Sequence, residues 1–168
     1  RKSTQELLLE INNAVEKCYT DISVDACGQH DIGGPLWNKH GRPLKFLVKN
    51  PGQRVGSMGM QGTTIIVEGS ATADTGWLNA GAEIIVKGNS GDTTAHCAAT
   101  GKIYIGGSTG TRSGALMKYD PKFSPPEFWV LKNTGSFSFE FMGGGIAVVC
   151  GYGCEDMDSV LGYRSCVG

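Results

Sequence analysis

Charge is scarce in this chain. Asp, Glu, Lys and Arg make up 18% of the 168 residues and leave a net charge of −1. The basic footprint of a nucleic-acid or anionic-membrane binder is therefore missing. No apolar run nears the roughly 18 residues that a membrane-spanning helix needs. Arg1-Lys2-Ser3 leads into an amphipathic segment rather than the apolar core of a signal peptide. Prolines number only six and follow no Gly-x-y period, which excludes collagen. The six cysteines (Cys18, Cys27, Cys97, Cys150, Cys154, Cys166) form no close-spaced disulfide framework, and no Asn-x-Ser/Thr acceptor is present. A reducing cytoplasm is the expected compartment. Met does not open the chain, so the expectation is a piece of a longer polypeptide.

Glycine, by contrast, is abundant: 26 residues, about double the ordinary share. With hydrophobic residues at 40%, that glycine belongs to a packed fold. Its role emerges when the sequence is slid against itself. Ile65-Ile66-Val67-Glu68-Gly69 recurs nineteen residues on as Ile84-Ile85-Val86-Lys87-Gly88, and nineteen further as Ile103-Tyr104-Ile105-Gly106-Gly107. The same step backwards reaches Phe46-Leu47-Val48-Lys49-Asn50. A fifth copy reads Trp129-Val130-Leu131 after a step of 26, a sixth Ala147-Val148-Val149, and the earliest Ile22-Ser23-Val24.

Each copy is a short strand rich in β-branched residues and closed by Gly or Asn. Alternation puts Phe46, Ile65, Ile84 and Ile103 in one inward column and Val48, Val67, Val86 and Ile105 in a second, with Glu68 and Lys87 outward. One such strand cannot bury its apolar face, but parallel copies stacked about 4.8 Å apart can. Nineteen residues leave room for two or three strands and glycine corners, which predicts an all-β, single-stranded right-handed parallel β-helix. The left-handed hexapeptide type and the calcium-binding nonapeptide type lack their signatures here.

Two segments depart from the repeat. Ser3-Thr4-Gln5-Glu6 fits a capping box, and Leu7, Leu8, Ile11, Ala14 and Val15 form an apolar stripe at helical spacing. Residues 4–17 are expected as a helix covering the first coil, within a capping segment 1–20 ahead of a β-helix domain 21–168. Residues 117–127, with three prolines, are expected as a looped excursion.

No chemical motif assembles. There is no Gly-x-x-x-x-Gly-Lys-Ser/Thr loop, no Gly-x-Ser-x-Gly elbow and no His-Glu-x-x-His. His30, His40 and His96 lack metal-ligand spacing, and His96-Cys97 reads as a corner pair. Cys150, Cys154 and Cys166 are the only concentrated thiols, at a spacing unlike the usual iron–sulfur runs. Glu155, Asp156 and Asp158 read as a solvated corner. The expectation is no catalytic, cofactor-binding or metal residue in this chain.

The units Gly-Met-Gln-Gly-Thr-Thr-Ile-Ile-Val-Glu-Gly (59–69), Asn-Ala-Gly-Ala-Glu-Ile-Ile-Val-Lys-Gly (79–88) and Met-Gly-Gly-Gly-Ile-Ala-Val-Val-Cys-Gly (142–151) resemble the GXGXG domain of the glutamate synthase large subunit. The opening helix and Gly28-Gln29-His30-Asp31-Ile32-Gly33 are similar to the start of its stand-alone form. The coils also resemble the β-helix subunit of formylmethanofuran dehydrogenase. The resemblance implies a noncatalytic β-helix that positions a glutamine amidotransferase module and an FMN and iron–sulfur synthase module. FMN and the cluster would sit in those partners. Outward residues such as Tyr104 and Trp77 would supply contact surface, and a homo-oligomer is compatible with them. The alternatives are the formylmethanofuran dehydrogenase-type complex or a β-helix with its own ligand or metal site. The departures from the family pattern are a degenerate fifth coil, Trp129 to Asn133, and loss of the Gly pair in Gly135-Ser136-Phe137-Ser138-Phe139-Glu140-Phe141.

Overall fold

The N-terminal capping box forms as the sequence predicts. Ser3 Oγ accepts from the Glu6 amide at 3.2 Å, and Glu6 Oε2 accepts from the Ser3 amide at 2.7 Å. Those bonds satisfy donors that a helix start would otherwise leave open, and α1 runs over Thr4–Glu16. Ile11 and Val15 are buried from its apolar stripe, with Leu7 and Leu8 packed at the margin. The computed structural model describes residues 2–36 and 40–166. Arg1 and Val167–Gly168, the outer ends of the two expected segments, lie outside them.

Seven strands follow: β1 Asp21–Asp25, β2 Leu44–Lys49, β3 Thr63–Val67, β4 Ala80–Val86, β5 Thr100–Ile105, β6 Glu127–Val130 and β7 Ile146–Val149. They form one sheet in chain order, and every neighbouring pair is parallel. The register places Phe46 beside Ile65, Ile65 beside Ile84, and Ile84 beside Ile103. Both expected columns are buried, with Phe46, Ile65 and Ile84 fully enclosed and Ile105 only 2% exposed. At about 1.5–3 kcal/mol for each enclosed aliphatic, these columns are the main adhesive between successive strands.

The architecture corrects the expected right-handed β-helix. Each repeat contributes one strand rather than two or three, and the strands make a single open sheet of α/β type, all parallel, with one helix. The sheet does not close on itself: β1 and β7 are edges. The reason lies in the intervening segments. They hold residues at positive φ in alternation, and no strand can pass through such a backbone.

Register is corrected at one strand. Phe128 and not Trp129 pairs with Ile103, while Trp129 pairs with Tyr104. The step from β5 is thus 25 residues, and a slip of one residue exchanges the two faces. Phe128 and Val130 are fully buried, and Trp129 lies outward at 36% exposure. The excursion returns to the sheet through Pro126, whose carbonyl accepts from the Ile146 amide at 2.8 Å. A short 3-10 turn, Met157–Ser159, follows β7.

Candidate functional site

The most regular feature away from the strands is a stack of five turns, residues 54–58, 74–78, 93–97, 112–116 and 137–141. In each, the first, third and fifth residues adopt the left-handed conformation, with φ between +51° and +67°. Only Gly56, Gly76 and Gly114, all at the middle position, are glycine; Ala95 and Phe139 hold that position in the other two turns.

Packing explains why the middle position keeps its glycines. A Cβ on Gly56 would sit 2.5 Å from Ile84 Cδ1, and one on Gly76 would sit 2.5 Å from Ile103 Cδ1. The isoleucine tips of the sheet fill the space that the missing side chains leave. Phe139 instead turns inward and packs on Phe128, with ring centroids 6.1 Å apart.

Hydrogen bonds tie the turns to one another. The amides of Arg54, Asp74, Thr93, Arg112 and Phe137 donate to the carbonyls of Ala73, Asp92, Thr111, Ser136 and Tyr163 respectively, each just ahead of the left-handed residue one repeat on. Those of Gly76, Ala95, Gly114 and Phe139 donate backwards, to Val55, Thr75, Thr94 and Ser113, each at 2.8 Å. Within the turns, Thr75, Thr94, Ser113 and Ser138 bury their hydroxyls and donate to the carbonyl three residues earlier, at 2.8–2.9 Å. Glycine-rich loops bind phosphate with free, convergent amides. Here the amides at the first and middle positions are already engaged.

The residues weighed from sequence are dispersed. His30 Nδ1 accepts from the Gln53 amide at 3.0 Å, and His40 Nε2 lies 3.2 Å from the Glu16 carbonyl oxygen. His96 Nδ1 and Cys97 Sγ are 3.3 Å apart on the third turn. Burial lowers the His96 pKa below its ordinary 6.5; Asp74 opposes that shift, and Arg112 and Lys118 add to it. Cys150 and Cys166 are exposed, while Cys154 Sγ donates to the Ser159 carbonyl at 3.7 Å. Asp156 caps the last turn, accepting from the Ser159 amide at 2.8 Å and its hydroxyl at 2.6 Å, which hold its carboxyl below the usual range. Among the described residues, no three His, Cys, Asp or Glu side chains gather as a metal site.

Tyr104 and Trp77 lie on different faces. Tyr104 belongs to the outer sheet face, where Leu47, Ile66, Ile85, Tyr104, Trp129 and Val148 are neighbours in one row across β2 to β7. Beside it, the absent side chain of Gly106 leaves an apolar groove of about 300 Å³, bordered by Ile85, Lys87, Tyr104, Trp129, Leu131 and Cys150. Trp77 sits in the second turn. Sequence reading missed both the register that places Trp129 in this row and the left-handed alternation of the turns. Gly56, Gly76 and Gly114, each at a similar offset after the strand that precedes it, were the available signal.

The structure is a stacked parallel sheet joined by turns with left-handed residues at every second position, three of the five centred on glycine. Residues 44–159, well over half the chain, match the family model described as the GXGXG motif. The chain belongs to that family. No curated protein and no solved structure gives a significant match. The relation to formylmethanofuran dehydrogenase is not shown by these comparisons. No helix among the described residues is long and apolar enough to cross a membrane.

Proposed function

We propose that this chain is a noncatalytic scaffold of a glutamate synthase-type enzyme, a spacer that fixes the placement of an amidotransferase module and an FMN and iron–sulfur synthase module. The carrying observation is the turn stack. The amides at the first and middle positions of its turns bond to neighbouring coils and its buried hydroxyls bond to carbonyls three residues earlier, so these groups maintain the stack rather than face a ligand. The family match over residues 44–159 supports the same reading. Chemistry then belongs to the partners, where FMN and the cluster are expected. What this chain offers them is surface: the outer sheet row and the exposed turn residues Met58, Leu116 and Phe141.

Affinity capture from native extract tests this reading. The expected result is co-purification of a glutamine amidotransferase and a flavin protein, identified by mass spectrometry and by the flavin absorbance band. A chain that co-purifies with neither and hydrolyses glutamine by itself contradicts it.

A further inference from the structure

The outer sheet face carries three rows, and their order on the strands is informative. The central row runs Leu47, Ile66, Ile85, Tyr104, Trp129, Val148. On one side of it lie Lys45, Thr64, Glu83, Lys102, Glu127 and Ile146; on the other, beyond Lys49 and Glu68, come Lys87, Gly106, Leu131 and Cys150. We infer that this face binds a second copy of the chain, about a two-fold axis parallel to the strands and passing between β4 and β5.

That axis lays β4 over the partner copy's β5, β3 over its β6 and β2 over its β7. Ile85 then faces Tyr104, Ile66 faces Trp129 and Leu47 faces Val148, an aliphatic half against a mostly aromatic one. Glu83 faces Lys102 twice, once in each direction. Lys87 faces the groove left by Gly106, where its methylene stem can lie on Tyr104 and Trp129. No like charges oppose.

Most other placements fail on charge, and an axis between β5 and β6, which would face Lys102 with Glu127, overlays only four strands instead of six. An axis on β4 sets Glu83 against Glu83 and Lys87 against Lys87. An axis between β3 and β4 sets Lys45 against Lys102. An axis running across the strands sets Lys45 against Lys49. Like charges held face to face disfavour each of these. Within one chain, Lys87 and Glu68 already pair at 2.7 Å, so Glu83 and Lys102 are the charges that choose the axis.

Six strands spaced about 4.8 Å apart and about five residues long bury about 500 Å² from each copy. About 1,000 Å² in total is the lower limit for a specific interface, the size class of transient contacts, so the dimer is a reversible one. The dimer takes up the outer sheet row and leaves the exposed turn residues Met58, Leu116 and Phe141 to partner modules, and it is tested on the chain alone, so its failure is distinguishable from failure of the scaffold reading.

Sedimentation velocity of the full chain, from low to high micromolar concentration, tests it, with a melting curve to confirm that each variant is folded. The parent should dimerise. Trp129→Glu should abolish the dimer, with Tyr104→Lys in its place if Trp129→Glu does not fold. Glu83→Lys should raise the dissociation constant about tenfold, and the exchange Glu83→Lys with Lys102→Glu should restore it. A parent that stays monomeric overturns the inference. So does a dimer that survives both outer-row variants, which would place the contact elsewhere, for instance on the β7 edge. A charge exchange that fails to restore association also overturns it.

Discussion

Gly76 and Ile103 share one space although 27 residues separate them: a Cβ on Gly76 would meet Ile103 Cδ1 at 2.5 Å and Ile84 Cδ1 at 3.3 Å. The glycine also sits at φ +67°. Gly76→Ala should therefore cost about 2–3 kcal/mol, about 1 from the left-handed backbone and the rest from overpacking. Ile103→Val alone should cost about 1 kcal/mol. Because valine lacks Cδ1, the double variant should lose about 1 kcal/mol less than the sum of the single ones. Strict additivity in urea unfolding would show that the two residues do not touch.

Phe141 poses the opposite case. It holds φ +51° with a side chain 81% exposed, so it pays for a conformation that suits glycine and buries little in return. Phe141→Gly should raise stability by about 0.5–1 kcal/mol. Phe139→Ala, at a position 6% exposed and packed on Phe128, should lower it by about 3–5 kcal/mol. The melting temperatures of the two variants should move in opposite directions.

These phenylalanines show where the sequence was legible and where it was not. The inward columns were legible because Ile65, Ile84 and Ile103 recur at a fixed step and alternation gives each strand only two faces. The turns were not, because left-handed backbone is readable only where glycine marks it. At Phe137 and Phe139 the neighbouring coils impose that conformation through amides donating to Tyr163 and Ser113, and Phe141 follows in the same alternation. The repeat pattern sets Trp129 one residue out of register because the excursion has no period, and in Phe128-Trp129-Val130 either phase sets an aromatic inward. The absence of a second strand in each repeat had the same origin as the turns. Apolar content alone does not separate a strand from a turn whose alternate residues point inward.

His96 gives the stack a mild acid sensitivity. Burial keeps its folded pKa below the ordinary 6.5, so the neutral ring is favoured in the native state. That contribution is fully present above about pH 6.5 and is lost as pH falls through the folded value. The melting temperature should drop less between about pH 7 and 5 in His96→Gln than in the parent. An identical drop in both proteins would remove His96 from the pH response.

The most direct test of the architecture uses two adjacent residues on opposite faces of β4. Ile84 is fully enclosed, and Ile85 lies in the outer row. Thermal unfolding of Ile84→Asp and Ile85→Asp should separate them sharply. The buried carboxylate of the first costs several kcal/mol and should leave the chain unfolded at room temperature, whereas the second should melt close to the parent. Equal melting temperatures, or the reverse order, would contradict a core built from one face of a single parallel sheet.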